Sequence, residues 1–333
     1  MHRIAGVDVS KLTFDEFAMG GGKGKHHQFS NNREGWARFW RTLEALGEGA
    51  LHVCMEATGL YWEGLAEFLH QKGATVFVVN ARRIKGFAMS EDKRTKTDKV
   101  DAGVIARFCQ AHLHVLKPWT PPAPCVRQLQ SLTRQLASLT DDRARQDVRL
   151  QSAVLCAEVH ESIKQHIEFL DESIERMKRS IQTLISSNSE LQKKEELARS
   201  IKGVGPVTAS VVLAECRLFN ELKDRRQVAA FAGLDVTEFS SGTSIRSKPR
   251  LSKRGNARLR QVLYMAAMAA KRSNPVFKRF YERLRANGKT KMQALGACMR
   301  KLLELIFTVV TSGNAFDPNY GAAPSEAIQA VAA

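Results

Sequence analysis

The sequence predicts an α/β N-terminal domain on a mixed sheet, a long helical middle, and a mainly helical, strongly basic C-terminal domain. Three observations carry this. Strand-like and helix-like stretches alternate over the first ~110 residues. Apolar residues then recur at heptad spacing. Finally, the formal net charge of +17 is concentrated late in the chain: residues 221–310 hold 20 Lys/Arg against 6 Asp/Glu.

The elements follow in order. The apolar run 3-RIAGVDV-9 is a first strand. The stretch 12-LTFDEFAM-19 alternates as a second, Gly20, Gly21 and Gly22 make a turn, and His26 to Phe29 form a third. Asn31 or Asn32 caps a helix reaching Leu46, with Trp36, Phe39, Trp40 and Leu43 on its apolar face. Next come a strand, 51-LHVCMEA-57, a helix, 60-LYWEGLAEFLHQK-72, and a strand, 75-TVFVVN-80. The segment 95-TKTDKVDAGVIARF-108 starts a helix with Thr97 or Asp98 near its cap. Three strands in succession and then strands alternating with helices make a mixed sheet covered by helices. This domain is expected over residues 1–115, with a Pro-rich linker at 116–124.

Residues 125–198 form the helical middle. Leu129, Leu132, Leu136 and Leu139 step by 3, 4, 3, and Ile163, Ile167, Leu170, Ile174, Met177, Ile181 and Leu184 by 4, 3, 4, 3, 4, 3. That seam fits a coiled coil or an antiparallel helical hairpin; a generic bundle core leaves a similar pattern. Asn188 is a helix break. Residues 199–320 form the C-terminal domain and 321–333 a flexible tail. Early in that domain, 201-IKGVGPVTA-209 looks like a helix-hairpin-helix loop. There Gly203 and Gly205 permit a tight turn, and the N–H groups of the next helix can receive a phosphate. A bare GxG between helices is as often only a turn. The late run 302-LLELIFTVV-310 fits a buried helix.

Composition narrows the function classes. The six cysteines are scattered, with no CxxC pair and no Cys/His spacing suited to zinc, which reads as reduced thiols. No Walker A motif is present, so no nucleotide cofactor is expected. There is no signal-peptide h-region, and no apolar run reaches the ~18 residues of a membrane span. A cytoplasmic, nucleoid-associated protein with no membrane partner is the expectation. The basic block is the footprint of a polyanion partner.

Two groups of residues can carry chemistry. Asp8 and Glu56 each end an apolar strand, and Asp98 and Asp101, three apart, share a helix face. Acids at strand ends sit where sites on such sheets are built. Four gathered carboxylates repel unless cations neutralise them. A pair of Mg²⁺ ions about 4 Å apart does so and clamps the oxygens of a phosphodiester; Mg²⁺ also prefers an all-oxygen ligand set. Singly, each acid has a plainer role, as a strand end or an N-cap. Lys93, Arg94, Lys96 and Lys99 surround the Asp pair as a phosphate track would.

The second group is 237-TEFSSGTSIRSKPRLSKRGN-256, which sets five serines and two threonines among five Lys/Arg. It is either a solvated Ser/Thr-rich turn beside a basic helix or a seryl nucleophile held against a phosphodiester. A serine needs a base, a metal or strong charge to attack at neutral pH. Arg246, Lys248, Arg250, Lys253, Arg254, Arg258 and Arg260 can hold phosphates through charge and, for the arginines, bidentate bonds.

The motifs 7-VDVSK-11, 56-EATGLY-61 and 97-TDKVDA-102 resemble the DEDD motif of the RuvC-like (RNase H-like) transposases of bacterial insertion sequences. These are the bridge-RNA-guided recombinases, a family related to the pilin-gene invertases. With 231-FAGLDVTEFSSG-242 and 251-LSKRGNARLR-260, the resemblance covers most of the chain. It implies that Asp8, Glu56, Asp98 and Asp101 bind two Mg²⁺ ions. It also implies that a serine just before a glycine, here Ser241, attacks DNA to form a phosphoserine link; Ser240 and Ser244 stand close by. It further implies donor and target DNA, a bridge RNA that pairs with both, and a dimer or tetramer whose subunits complete one another's sites. The function expected is Mg-dependent DNA strand cleavage and exchange. Two other readings are a RuvC-like metal-dependent nuclease or junction resolvase with an incidental serine, and a non-catalytic nucleic-acid-binding protein.

Overall fold

The computed structural model describes residues 3–19, 24–57, 59–91, 98–152, 156–238, 240–241, 245–246 and 249–318, with backbone alone at 98–100, 240–241 and 245–246. The chain divides into two units, Met1–Pro121 and Pro122–Ala333.

The first unit is built on a five-stranded sheet. Its strands are β1 (Arg3–Val9), β2 (Thr13–Met19), β3 (Lys25–Ser30), β4 (Leu51–Glu56) and β5 (Thr75–Val79). Their order in the sheet is β3-β2-β1-β4-β5. The first three pair antiparallel, which their few connecting residues permit, whereas β4 and β5 join parallel after helical crossovers. The helices are α1 (Arg33–Glu44), α2 (Glu63–Gln71), α3 (Ala81–Ser90) and α4 (Asp98–His112). Asn32 is the N-cap of α1, its side chain accepting from the Gly35 N–H at 2.9 Å. Helix α3 was not foreseen; its run ARRIKGFAMS carries only a short apolar stripe, Ile84, Phe87 and Ala88, set among polar and glycine residues.

Alternation along the strands gives the sheet two different faces. Ala5, Val7, Val9, Val53 and Met55 face one way and pack with Phe39 and Leu43 of α1 and Leu65 and Leu69 of α2. Ile4, Cys54, Phe77 and Val79 face the other way, against Ile84 of α3 and Val104, Ile105 and Phe108 of α4. Helix α4 lies almost on the β1 backbone at Gly6. A Cβ there would overlap the backbone of Ala102 and Ala106, so only glycine permits the approach.

The second unit is mainly helical. Helices α5 (Pro124–Leu150) and α6 (Ala157–Ser186) pack side by side, as a six-residue connection requires of neighbours that reverse direction. Their buried residues include Leu129 and Leu136 on α5 and Ile163, Ile167, Leu170, Ile174 and Ile181 on α6. Arg143 of α5 bonds Asp171 of α6 at 2.6 Å. Asn188 ends α6 and caps α7 (Ser189–Arg199), accepting from the Leu191 N–H. Then come α8 (Pro206–Glu215), a 3₁₀ turn at Arg217–Phe219, α9 (Arg225–Ala232) and four two-residue strands: β6 (Val236–Thr237), β7 (Ser240–Ser241), β8 (Ile245–Arg246) and β9 (Arg250–Leu251). Three helices close the unit: α10 (Ala257–Ser273), α11 (Pro275–Ala286) and α12 (Lys291–Ser312). The end of α12 is buried at Leu302, Leu303, Ile306, Val309 and Val310, forming the centre of one continuous core. Among the described residues, no helix is long and apolar enough to cross a membrane.

Candidate catalytic and nucleic-acid-binding sites

Strand register places the acids of the first unit. Gly6 pairs with Cys54 and Val7 with Met55 across the parallel strands β1 and β4. Asp8 and Glu56 are the next residues on each strand. They therefore share the face of Gly6 and Cys54, the face covered by α3 and α4. Asp101 directly precedes Ala102, where the α4 backbone meets Gly6. All three acids are half-buried and all engage neighbouring groups. Asp98 begins α4, but its side chain and that of Lys99 lie outside the described residues, as do Lys93, Arg94 and Lys96 entirely.

Among the described residues no three His, Cys, Asp or Glu side chains are spaced to hold a metal ion. The donor chemistry still fits a hard divalent cation: the acids at this strand-end position offer carboxylate oxygens alone, as Mg²⁺ or Ca²⁺ prefers.

A further carboxylate on the same face escaped the sequence reading. Asp15 of β2 is the antiparallel partner of Asp8. It is 6% exposed, and its oxygens take His26 Nε2 at 2.8 Å and Gln28 Nε2 at 3.0 Å from β3. Its neighbour Glu16 turns to the opposite face, fully buried, with His27 Nδ1 at 3.0 Å and its second oxygen without a partner among the described residues. Burial raises the Glu16 carboxyl above its ordinary range, against the pull of His27 and His26. The available signal was two acids inside an alternating strand facing two histidines across a short turn.

In the second unit the opening of the basic block is a tied loop. Val236 pairs with Leu251 and Thr237 with Arg250; Ser240 pairs with Arg246 and Ser241 with Ile245. The side chains of Ser240, Ser241 and Arg246, and all of Ser244 and Lys248, lie outside the described residues. Beyond them, Ser252 N–H donates to the Asp235 carbonyl at 2.9 Å and its hydroxyl bonds the Asp235 carboxylate. Lys253 N–H reaches the Gly233 carbonyl at 3.1 Å and Asn256 N–H the Phe231 carbonyl at 2.8 Å. Gly233 and Gly255 touch backbone to backbone, so a Cβ on Gly255 would overlap the Gly233 nitrogen. Lys253 holds a left-handed φ of 52°, a strained conformation for a side-chain-bearing residue. The loop presents Lys253 and Arg254 outward; Arg250 and Arg258 are also exposed. Arg260 instead donates to the Ala232 and Gly255 carbonyls at 3.0 and 2.9 Å, bracing the same loop.

Asn256 anchors this loop to the interior. Its Oδ1 caps α10, accepting from the Arg258 and Leu259 N–H groups, and its Nδ2 donates to Glu215 at 2.7 Å. Arg134 of α5 donates to the same carboxylate at 2.9 Å. Burial pushes the Glu215 carboxyl up, but the bond and charge of Arg134, with Asn256 and Arg258, more than offset it and hold it below its ordinary range. Gly205 caps α8 with open space beside its Cα, whereas Gly203 abuts α10 so closely that a Cβ would lie 2.6 Å from the Ala270 Cα.

Known proteins match both parts. A family described as "Transposase" covers residues 5–156, and the "Transposase IS116/IS110/IS902 family" covers residues 195–282. The pilin gene-inverting protein of Moraxella bovis is 30% identical over 319 residues, 94% of this chain and 97% of that protein. Its counterpart in Moraxella lacunata has the same identity and coverage. The probable family 20 transposase of Pseudomonas aeruginosa is 26% identical over 255 residues, 66% of this chain and 71% of that protein.

Proposed function

The chain belongs to the IS116/IS110/IS902 family of transposases, enzymes of DNA recombination, and on that premise we propose that it exchanges DNA strands through a phosphoserine link at Ser241. The observation that supports the acid half of this reading is the register of β1 and β4, which sets Asp8 and Glu56 side by side on the face where α4 brings Asp101. Ser241 rests on its place before a glycine in 231-FAGLDVTEFSSG-242.

Asp8, Glu56, Asp98 and Asp101 would hold Mg²⁺, which when bound supplies positive charge to the oxygens of a phosphodiester. The Ser241 oxygen attacks phosphorus and gives its proton to solvent, the bond to one deoxyribose oxygen breaks, and that oxygen takes up a proton from solvent to leave as a hydroxyl end. A second freed hydroxyl then attacks the phosphoserine and releases the serine. The intermediate conserves one phosphoester for each one broken, so rejoining requires no ATP. Lys253, Arg254 and Arg258, with the rest of the basic stretch, hold the backbone by charge. The reading includes a bridge RNA that selects both DNA sites, which leaves the protein to grip backbones rather than base edges, and a dimer or tetramer as the working form.

Trapping tests it. Stopping the reaction in denaturant should leave protein covalently attached to a labelled DNA strand. Ser241→Ala should abolish the adduct, while Ser240→Ala and Ser244→Ala keep it. Hydrolysed ends formed at the wild-type rate by Ser241→Ala would replace this reading with a metal-dependent nuclease. Sequencing the RNA that co-purifies with the protein tests the guide.

A further inference from the structure

We infer that the cleft between α9, α11 and α12, outside the serine loop, seats one unpaired nucleotide of a nucleic-acid strand. The inference rests on the nucleic-acid reading above but concerns residues that reading does not use.

The cleft encloses about 450 Å³, within the roughly 300–1,000 Å³ of small-ligand sites. Among the described residues lining it, three are cationic, Arg225, Arg300 and Lys301, and one is acidic, Glu304. Glu304 bonds Arg300 at 2.7 Å, so it offsets one charge of the three. Phe280 and Leu305 supply the apolar wall. Lys301 Nζ stands 4.5 Å from the centre of the Phe280 ring, and the Arg283 guanidinium stands 5.5 Å from it. Two cations thus flank one aromatic ring, and two more, Arg225 and Arg300, line the same cleft. Burial, and then the nearby Arg283 charge, hold the Lys301 ammonium below its ordinary range. A site that destabilises its own positive charge in this way is relieved by an anion.

The shape selects among anions. A phosphate alone would satisfy the cations but leave the Phe280 and Leu305 wall bare. An unpaired nucleotide brings both parts, a phosphodiester for Arg225, Arg300 and Lys301 and a flat apolar ring for the wall. A paired nucleotide has its base stacked inside the duplex and cannot enter. A second cleft of about 550 Å³ shares Arg225 and adds Arg226 and Asp224, two cations against one acid, which gives the adjoining phosphate a place along the same surface.

The test measures binding of the full chain to fluorescent oligomers of dT, of rU and of a matched DNA duplex across a salt series. Lys301→Gln and Arg300→Gln should each weaken single-strand binding several-fold. Together they should lower the salt slope by about 1.4, two contacts at roughly 0.7 each for single strands. Duplex affinity should change by less than twofold. Leu305→Asn, which keeps every charge, should also weaken single-strand binding. Whichever of dT or rU loses more identifies the strand that supplies the nucleotide. Unchanged single-strand affinity and slope, with the helical signal intact, would overturn the seat while leaving the recombinase reading standing; so would equal losses on duplex and single strand. If the wild-type chain bound none of the probes, both readings would fall.

Discussion

On the proposed reading, the acid-bearing sheet and the serine-bearing loop each hold a reactive side chain, by opposite means. Asp8 and Glu56 are held by strand register: a slip of one residue would move them to the α1 and α2 face. Among the described residues, the strands around Ser241 are two residues long. The loop's flank is tied at separate points, by Ser252 to Asp235, Lys253 to Gly233, Asn256 to Phe231, the Arg260 brace and the contact of Gly233 with Gly255. A cooperative sheet tolerates the loss of any one contact, but a loop tied at separate points does not. Chemistry in the first unit is therefore expected to fail through the acids themselves, and in the second through the ties.

The largest effect expected is catalytic. Asp8→Asn keeps the size and register of the side chain but removes a charge, and strand cleavage should fall about 10³-fold or more. Thermal unfolding should stay within two degrees of wild type. If cleavage persists, the strand-end acids are not the catalytic group. If both cleavage and stability collapse, Asp8 is a structural residue and the contrast between the regions is wrong.

Next in size are the two close approaches. Gly6→Ala drives a methyl into the α4 backbone, and Gly255→Ala drives one into Gly233. Each should destabilise its own unit by about 1–3 kcal/mol, the usual range for overpacking. The four tryptophans, Trp36, Trp40, Trp62 and Trp119, all lie in the first unit, so their fluorescence reports that unit alone. Gly6→Ala should lower the transition seen by fluorescence. Gly255→Ala should leave that transition in place and lower the circular-dichroism transition of the second unit. Equal shifts in both signals for either variant would mean that the units do not respond separately.

How far each region could be read from sequence follows from the same difference. The sheet was legible because its strands carry the period-two pattern that also defines their faces. The strand-end acids stand out at the ends of 3-RIAGVDV-9 and 51-LHVCMEA-57. The heptad residues Ile163 to Ile181 do lie on the inner side of α6. Asp15 was not legible, because its role depends on facing Asp8 and His26 across two strands, and pairing partners carry no local mark. Nor was the tie between Glu215 and Asn256, 41 residues apart. Arg260 looked like one phosphate-binding cation among many, and only the fold shows its guanidinium turned to the Ala232 and Gly255 carbonyls. Charge runs reveal a partner class but not which side chains are already engaged.

The smallest effect contrasts two buried glutamates. Glu16 in the sheet is raised by burial, and Glu215 beneath the loop is lowered once Arg134 and Asn256 outweigh burial. A carboxyl raised on folding stabilises the fold while protonated, and that contribution disappears as pH rises through its folded value. A carboxyl lowered on folding contributes above the ordinary value of 4.5 and loses that contribution as pH falls through its folded value. Glu16→Gln should raise the fluorescence transition at alkaline pH, where ionising the wild-type carboxyl inside the sheet is costly, and the gain should shrink as pH falls. Glu215→Gln should lower the circular-dichroism transition at pH 7, and its deficit should narrow below pH 4.5 as the wild-type carboxyl also loses its charge. A deficit for Glu215→Gln that is the same at pH 7 and at pH 3 would show that the carboxylate ties the loop by shape rather than by charge, and the loop would then be held much as the sheet is.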